Sequence, residues 1–124
     1  MPDEALAVLA LPDLRTLVLL LGAAPVLEEL VFRGGLQEQL LLARVSPMAA
    51  NALTAVAFAL GHGLTRSWWL AAGVLLPAWA LGALYQRERR LAPCVAAHAA
   101  MNLVWIGLGT ATGLGAAVAA TSAS

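Results

Sequence analysis

Three long stretches of the chain carry no charged residue. They cover residues 45–65, 67–86 and 91–124, which are 21, 20 and 34 residues long. A helix needs about 20 apolar residues to cross the hydrocarbon core of a bilayer. Each stretch therefore predicts one transmembrane helix, and the surplus length of the third predicts a loose tail over residues 119–124.

The segment before these stretches is also apolar, but charges and prolines interrupt it. As one straight helix, residues 14–43 would be about 45 Å long, against a hydrocarbon core of about 30 Å. Because Pro25 has no backbone N–H, we expect a break or kink there. The pattern then predicts a short helical piece over residues 13–22, a main helix over residues 25–43, and a flexible start over residues 1–12.

The predicted fold class is all-α, a polytopic membrane helix bundle with about four main transmembrane helices and a short or kinked N-terminal helical segment. Composition agrees, since 61% of residues are hydrophobic and 11% are charged, whereas soluble domains have about 25% charged residues. A single domain over residues 1–124 is expected, because a chain of this length could not hide so much apolar surface from water. The formal net charge is zero, no pattern indicates nucleic-acid binding, and the single cysteine, Cys94, excludes an internal disulfide.

All seven basic residues are arginine. If four helices alternate in direction, Arg44 and the loop containing Arg87, Arg89 and Arg90 share one side. Because cytoplasmic loops are enriched in basic residues, this distribution predicts that the loop lies in the cytoplasm. The absence of lysine favours a GC-rich bacterial source, and hence a bacterial inner membrane.

A few polar residues lie inside these apolar segments, where they normally face the bundle interior. In "APVLEELVFRGG", Glu29 precedes Arg33 by four residues, which is the favoured orientation for a helical ion pair. Glu28 is five residues from Arg33, about 140° around a helix, so it does not share that partner. One carboxylate is therefore predicted to be paired and the other to face something else.

Two further pairs have the same spacing: Phe58 with His62, and His98 with Asn102. Both histidines of the chain lie in predicted spans, which favours a functional site over coincidence. We expect a polar cavity among the first, second and fourth main helices. If the first main helix began near Pro25, however, His98 would approach from the opposite side, so the segment before it must dip into the bundle or the helices must tilt.

The three signatures "EELVFRG", "FALGH" and "HAAMN" resemble, in order and spacing, those of the CAAX protease and bacteriocin-processing family of intramembrane glutamic endopeptidases. The resemblance covers residues 23–104. It implies that Glu28 is the general base that activates water and that His62 holds this water. It further implies that His98 and Asn102 donate to the oxyanion, with Glu29, Arg33 and Phe58 in supporting roles.

The resemblance implies an endopeptidase that needs no cofactor and cuts a membrane-associated or secreted protein or peptide near its C-terminus. Prenylated tails, C-terminal sorting signals and peptide precursors are the candidate substrates. A zinc peptidase is one alternative, since Glu28, His62 and His98 could supply three metal ligands. A non-catalytic bacteriocin-immunity or scaffold protein is another. The expected partners are the substrate, the lipid bilayer and a protein that supplies additional helices.

Overall fold

The computed structural model describes residues 12–112, with side chains described through residue 110. Four helices and no strand make up this part of the chain. They are α1 (residues 14–42), α2 (Pro47–Thr65), α3 (Trp68–Glu88) and α4 (Leu91–Thr112). The predicted all-α bundle is confirmed. Of the ends expected to be flexible, residues 1–12 and 119–124, all but residue 12 lie outside the described residues.

Helix α1 is continuous through the position where a break was expected. Asp13 caps it by accepting a hydrogen bond from the Thr16 N–H at 2.8 Å, and hydrogen bonding from Thr16 lowers the pKa of this carboxyl group. Instead of breaking, the helix changes its backbone hydrogen-bond pattern between α-helical and π-helical segments. Along α1 the order is α-helix Leu14–Val18, π-helix Leu19–Ala23, α-helix Ala24–Glu29, π-helix Leu30–Gln37 and α-helix Glu38–Leu42.

Helices α2 and α3 form a tight hairpin. Ser46 and Ser67 cap their first turns by accepting backbone N–H groups, so both helix starts are fixed by sequence. The Trp68 ring occupies the position that a Cβ on Gly63 would take, which lets the turn between the helices remain short. Deeper in the bundle, Phe58 and small residues of α2 and α3 form the buried apolar core.

A second close approach between α2 and α3 depends on Gly82. The Asn51 side-chain oxygen occupies the position of a Cβ on Gly82, while the Asn51 amide donates to the Trp79 carbonyl at 3.1 Å. Small residues allow such contacts between membrane helices, because helix backbones can then approach closely. Asn51 therefore connects α2 to the backbone of α3 only while position 82 has no side chain.

Helices α2, α3 and α4 are long and apolar enough to cross a membrane, over Pro47–Thr65, Trp68–Glu88 and Leu91–Thr110. Their outer faces carry large exposed apolar residues, including Trp68 and Trp69 at the start of α3. Such a surface suits hydrocarbon, where apolar side chains need no cover from other protein segments. At the opposite end, Glu38 of α1 accepts hydrogen bonds from Tyr85 of α3 and from Arg89, the residue after α3, both at 2.7 Å.

Candidate active site

A line of fully buried polar side chains runs along α1 at intervals of four residues: Glu29, Arg33 and Gln37. The predicted ion pair is present, with Arg33 Nη1 at 3.2 Å from Glu29 Oε1. Arg33 Nη2 also donates to the Ala78 carbonyl at 2.6 Å, and Gln37 donates to the Gly82 carbonyl at 3.0 Å. Because both contacts join residues 45 positions apart, they hold α1 and α3 in one fixed register.

His98 lies between the two adjacent glutamates. Its Nδ1 is 2.7 Å from Glu29 Oε1, and its Nε2 is 3.4 Å from Glu28 Oε2. An ionised carboxylate can only accept, so Nδ1 carries the proton of the hydrogen bond to Glu29. The Glu29 side chain is 0% exposed and that of Glu28 is 29% exposed. The two carboxylates therefore differ as the helix-angle argument predicted, and Glu29 additionally orients His98.

The start of α4 explains how His98 reaches these glutamates. Leu91, the first residue of α4, packs against Gly34 in the second half of α1. Gly34 lies eight residues before the end of α1, so α4 begins about 12 Å inside the bundle at 1.5 Å per residue. The expectation that the main helix begins near Pro25 was wrong: α1 begins at Leu14, and Glu28 consequently lies at mid-helix.

His62 has one nitrogen fixed by its own helix. Nδ1 lies 2.9 Å from the Phe58 carbonyl, which can only accept, so Nδ1 carries a proton. The Phe58 ring packs against both histidines, with centroid distances of 4.4 Å to His62 and 5.8 Å to His98, and the Arg33 guanidinium lies 5.3 Å from its centroid. Phe58 thus sets the spacing between the two imidazoles.

Asn102 donates a hydrogen bond to the Leu20 carbonyl at 2.6 Å. This carbonyl belongs to the first π-helical turn, in which the Ala24 N–H bonds to Leu19 instead of Leu20. The next residue, Pro25, has no N–H to offer. Asn102 therefore supplies the donor that the helix lacks, using one of the two protons of its amide and leaving the other available.

A cavity of about 250 Å³ opens beside these residues. Its lining residues recur every three or four positions along each helix, so each helix contributes one face. The faces are Leu20, Ala24 and Glu28 of α1; Phe58 and His62 of α2, with Arg66 directly after its end; Leu70, Gly73, Val74, Pro77, Ala78 and Leu81 of α3; and His98, Met101, Asn102, Trp105 and Ile106 of α4. The structure thus brings Glu28, His62, His98 and Asn102 to one cavity, with Glu29 and Arg33 behind it.

A comparison of the chain with protein-family models finds a match to the family described as "Type II CAAX prenyl endopeptidase Rce1-like", over residues 10–104. The match covers most of the chain. The protein belongs to this family. The resemblance seen in the sequence is thereby confirmed, and family membership together with the long apolar helices identifies an integral membrane endopeptidase. No curated protein and no solved structure matches this Rce1-like chain.

The zinc alternative requires three ligands that converge on one point. Within residues 12–110 of this Rce1-like protein, no group of three or more His, Cys, Asp or Glu side chains is placed to hold a metal ion. Glu28, His62 and His98 share the cavity but do not form a His₂Glu ligand set in this structure.

Sequence reasoning missed three parts of the site. The α3 face of the cavity was not predicted, because its apolar residues match the pattern of any membrane helix. Gln37 was missed although it continues the four-residue spacing of Glu29 and Arg33. Arg66, in the turn after α2, was not named as a site residue, yet it lies four residues after His62 and lines the same cavity. In both polar cases the helical spacing was the available signal.

Proposed function

We propose that this Rce1-like protein hydrolyses a peptide bond with a water molecule activated by Glu28. The observation that carries the proposal is the contrast between two adjacent carboxylates. Glu29 is buried between Arg33 and His98, whereas Glu28 faces the cavity. A general base must reach both water and substrate, and Glu28 is the carboxylate placed to do so.

In the proposed reaction, the Glu28 carboxylate takes a proton from water while the water oxygen attacks the carbonyl carbon of the substrate. The carbonyl π electrons move onto oxygen and form a tetrahedral oxyanion. When this intermediate collapses, the C–N bond breaks, and the proton held by Glu28 passes to the leaving nitrogen. Glu28 returns to its starting state, so the reaction consumes one water molecule and forms a carboxylic acid and an amine.

His62 would position the attacking water. Since Nδ1 donates to the Phe58 carbonyl, the Nε2 of a neutral imidazole is free to accept a hydrogen bond. A water held between Nε2 and Glu28 would have both hydrogens engaged and its lone pair directed away from them. Phe58, in contact with both imidazoles, would keep this geometry fixed during the reaction.

His98 and Asn102 would stabilise the oxyanion. With Nδ1 donating to Glu29, the Nε2 of His98 can donate only when the imidazole carries both protons. The proposed role therefore requires an imidazolium between the two glutamates. Asn102 would use its second amide proton, while its first remains on the Leu20 carbonyl. Donors fixed before the reaction contribute about 3–4 kcal/mol each in well-studied hydrolases.

The proposed substrate is a membrane-associated or secreted protein or peptide that is cut near its C-terminus. Prenylated tails, C-terminal sorting signals and peptide precursors are the three classes to compare. Tail peptides of each class, incubated with the protein in nanodiscs and analysed by mass spectrometry, test this proposal. We expect one class to be cut at a single bond and the rate to be unchanged by a chelator.

Two outcomes would contradict the proposal. Activity that is lost with chelator and restored by zinc would replace the glutamate mechanism with a metal-dependent one. Binding of tails by folded protein without cleavage of any class would favour the immunity or scaffold role.

A further inference from the structure

Arg66 is the one side chain with a permanent positive charge among the described residues that line the cavity. It follows the last residue of α2, and its backbone N–H donates to the His62 carbonyl at 2.9 Å. Its side chain is exposed and forms no ion pair with any acidic group in residues 12–110. The guanidinium is therefore available to an anion that enters the cavity.

The cavity has two chemically distinct ends. Glu28 lies at the middle of α1 beside His98, whereas Arg66 follows the last residue of α2, at the turn into α3. Arg66 follows His62 by four residues, which corresponds to about 6 Å along the chain at 1.5 Å per residue. Negative charge on the protein is thus concentrated at one end and a positive charge at the other.

The surroundings of Arg66 favour a carboxylate ligand. Much of the cavity lining is apolar, including Leu20, Leu70, Trp105 and Ile106. A charge-assisted pair is stronger where water is partly excluded. The planar guanidinium also matches the two oxygens of a carboxylate better than a point charge does. In a peptide that approaches Glu28, the group with this chemistry at the end of the chain is the C-terminal carboxylate.

We propose that Arg66 binds the free C-terminal carboxylate of the substrate and thereby selects which peptide bond lies beside Glu28. The inference rests on the proposed function and adds a specificity residue to it. An extended peptide advances about 3.3 Å per residue, so the separation between Arg66 and Glu28 sets how many residues lie between the bound carboxylate and the bond that is cut. The distance from the chain end, read by Arg66, would then fix the cut.

Cleavage kinetics test this inference with paired peptides that differ only in ending as a free acid or as an amide. The wild-type protein should cleave the acid with a kcat/KM at least tenfold higher, mainly through a lower KM. The Arg66→Gln protein should cleave the acid and the amide equally fast, at the rate at which the wild type cleaves the amide. Arg66→Lys should retain part of the preference, since it keeps the charge and loses the planar fork.

Arg87→Gln is the matched control, because Arg87 is an exposed arginine at the other end of α3. It should retain the full preference for the acid. In a tail of uniform composition, adding two residues before the terminus should move the cut by two residues, so that its distance from the carboxylate stays constant. Equal cleavage of acid and amide by the wild type, or an unchanged preference in Arg66→Gln, would overturn the role of Arg66.

A binding measurement separates this inference from the reaction itself. Glu28→Gln protein in nanodiscs, titrated with the fluorescent acid and amide peptides, should bind the acid more tightly, and adding Arg66→Gln should remove the difference. Acid-selective binding without cleavage by the wild type would refute the proposed reaction and support Arg66. Another outcome is that the acid and the amide bind equally well, and that Arg66→Gln weakens their binding only when anionic lipid is present. This outcome would assign Arg66 to a lipid phosphate and overturn the inference.

Discussion

The two ends of the bundle use intramembrane polar side chains in opposite ways. At the end near Gly82, Arg33, Gln37 and Asn51 donate to backbone carbonyls of α3. At the end near Leu20, Glu28 and His62 face open space. We call these the closed end and the open end. The role of a polar residue in an apolar helix therefore depends on the partner that it contacts more than on its residue type.

Glu29 lies on the boundary between the two ends. One of its oxygens contacts Arg33, which belongs to the closed end, and the same oxygen accepts from His98, which faces the cavity. Changes at the open end should therefore affect turnover, changes at the closed end should affect stability, and a change at Glu29 should affect both.

Glu28→Gln should have the largest effect on turnover. It removes the proposed base, so activity should fall by about 10²–10⁴-fold, while the melting temperature in detergent should stay close to that of the wild type. Glu88→Gln, at an exposed position, is the matched control. Cleavage by Glu28→Gln at the wild-type rate would show that another group is the base.

Glu29→Gln should lower stability and turnover together. It leaves Arg33 without its buried counter-charge, and breaking such a pair costs about 3–5 kcal/mol. It also removes the carboxylate that holds His98. Thermal unfolding and the turnover of the folded fraction, measured on one preparation, check both parts. A Glu29→Gln protein as stable as the wild type would remove the distinction between the neighbouring glutamates.

Asn102→Ala tests whether Asn102, which donates a hydrogen bond to the Leu20 carbonyl, also takes part in the reaction at the open end. As an oxyanion donor it should lower kcat by about 10²–10³-fold with little change in KM. As a helix contact alone it would cost about 0.6 kcal/mol of stability and leave kcat unchanged. The Leu20 contact predicts that some stability is lost in either case, so kcat is the deciding measurement.

Gly82→Ala should have the smallest effect, confined to the closed end. The new methyl group displaces the Asn51 side-chain oxygen, and overpacking of this kind costs about 1–3 kcal/mol. Activity per folded molecule should not change. Gly107→Ala is the control, because a Cβ at that position of α4 meets no atom within 4 Å. A loss of turnover without a loss of stability would show that the two ends are coupled.

The features predicted from sequence were those that depend on local spacing. The uncharged stretches gave the spans of α2, α3 and α4, and the four-residue interval gave the ion pair of Glu29 with Arg33. Features that depend on a second helix were missed. Gln37 and Asn51 donate to backbone carbonyls, which every residue carries, so no sequence pattern marks the acceptor.

The course of α1 was missed for a related reason. A proline in a helix predicts a kink, and the kink was used to place the start of the main helix. In the structure, a π-helical turn precedes Pro25, and an amide from α4 donates to the carbonyl of Leu20. That amide lies 82 residues further along the chain, beyond the reach of local rules.

The buried polar line of α1 has a consequence for membrane insertion. On the translocon scale, a charged residue at the centre of a helix costs about 2.5–3.5 kcal/mol, and α1 carries Glu28, Glu29 and Arg33 together. Glu29 and Arg33 pair within α1, but the other groups that compensate these charges, the Ala78 carbonyl and His98, belong to helices synthesised later. We therefore expect α1 to stay beside the translocon until α3 and α4 emerge, and to enter the lipid together with them.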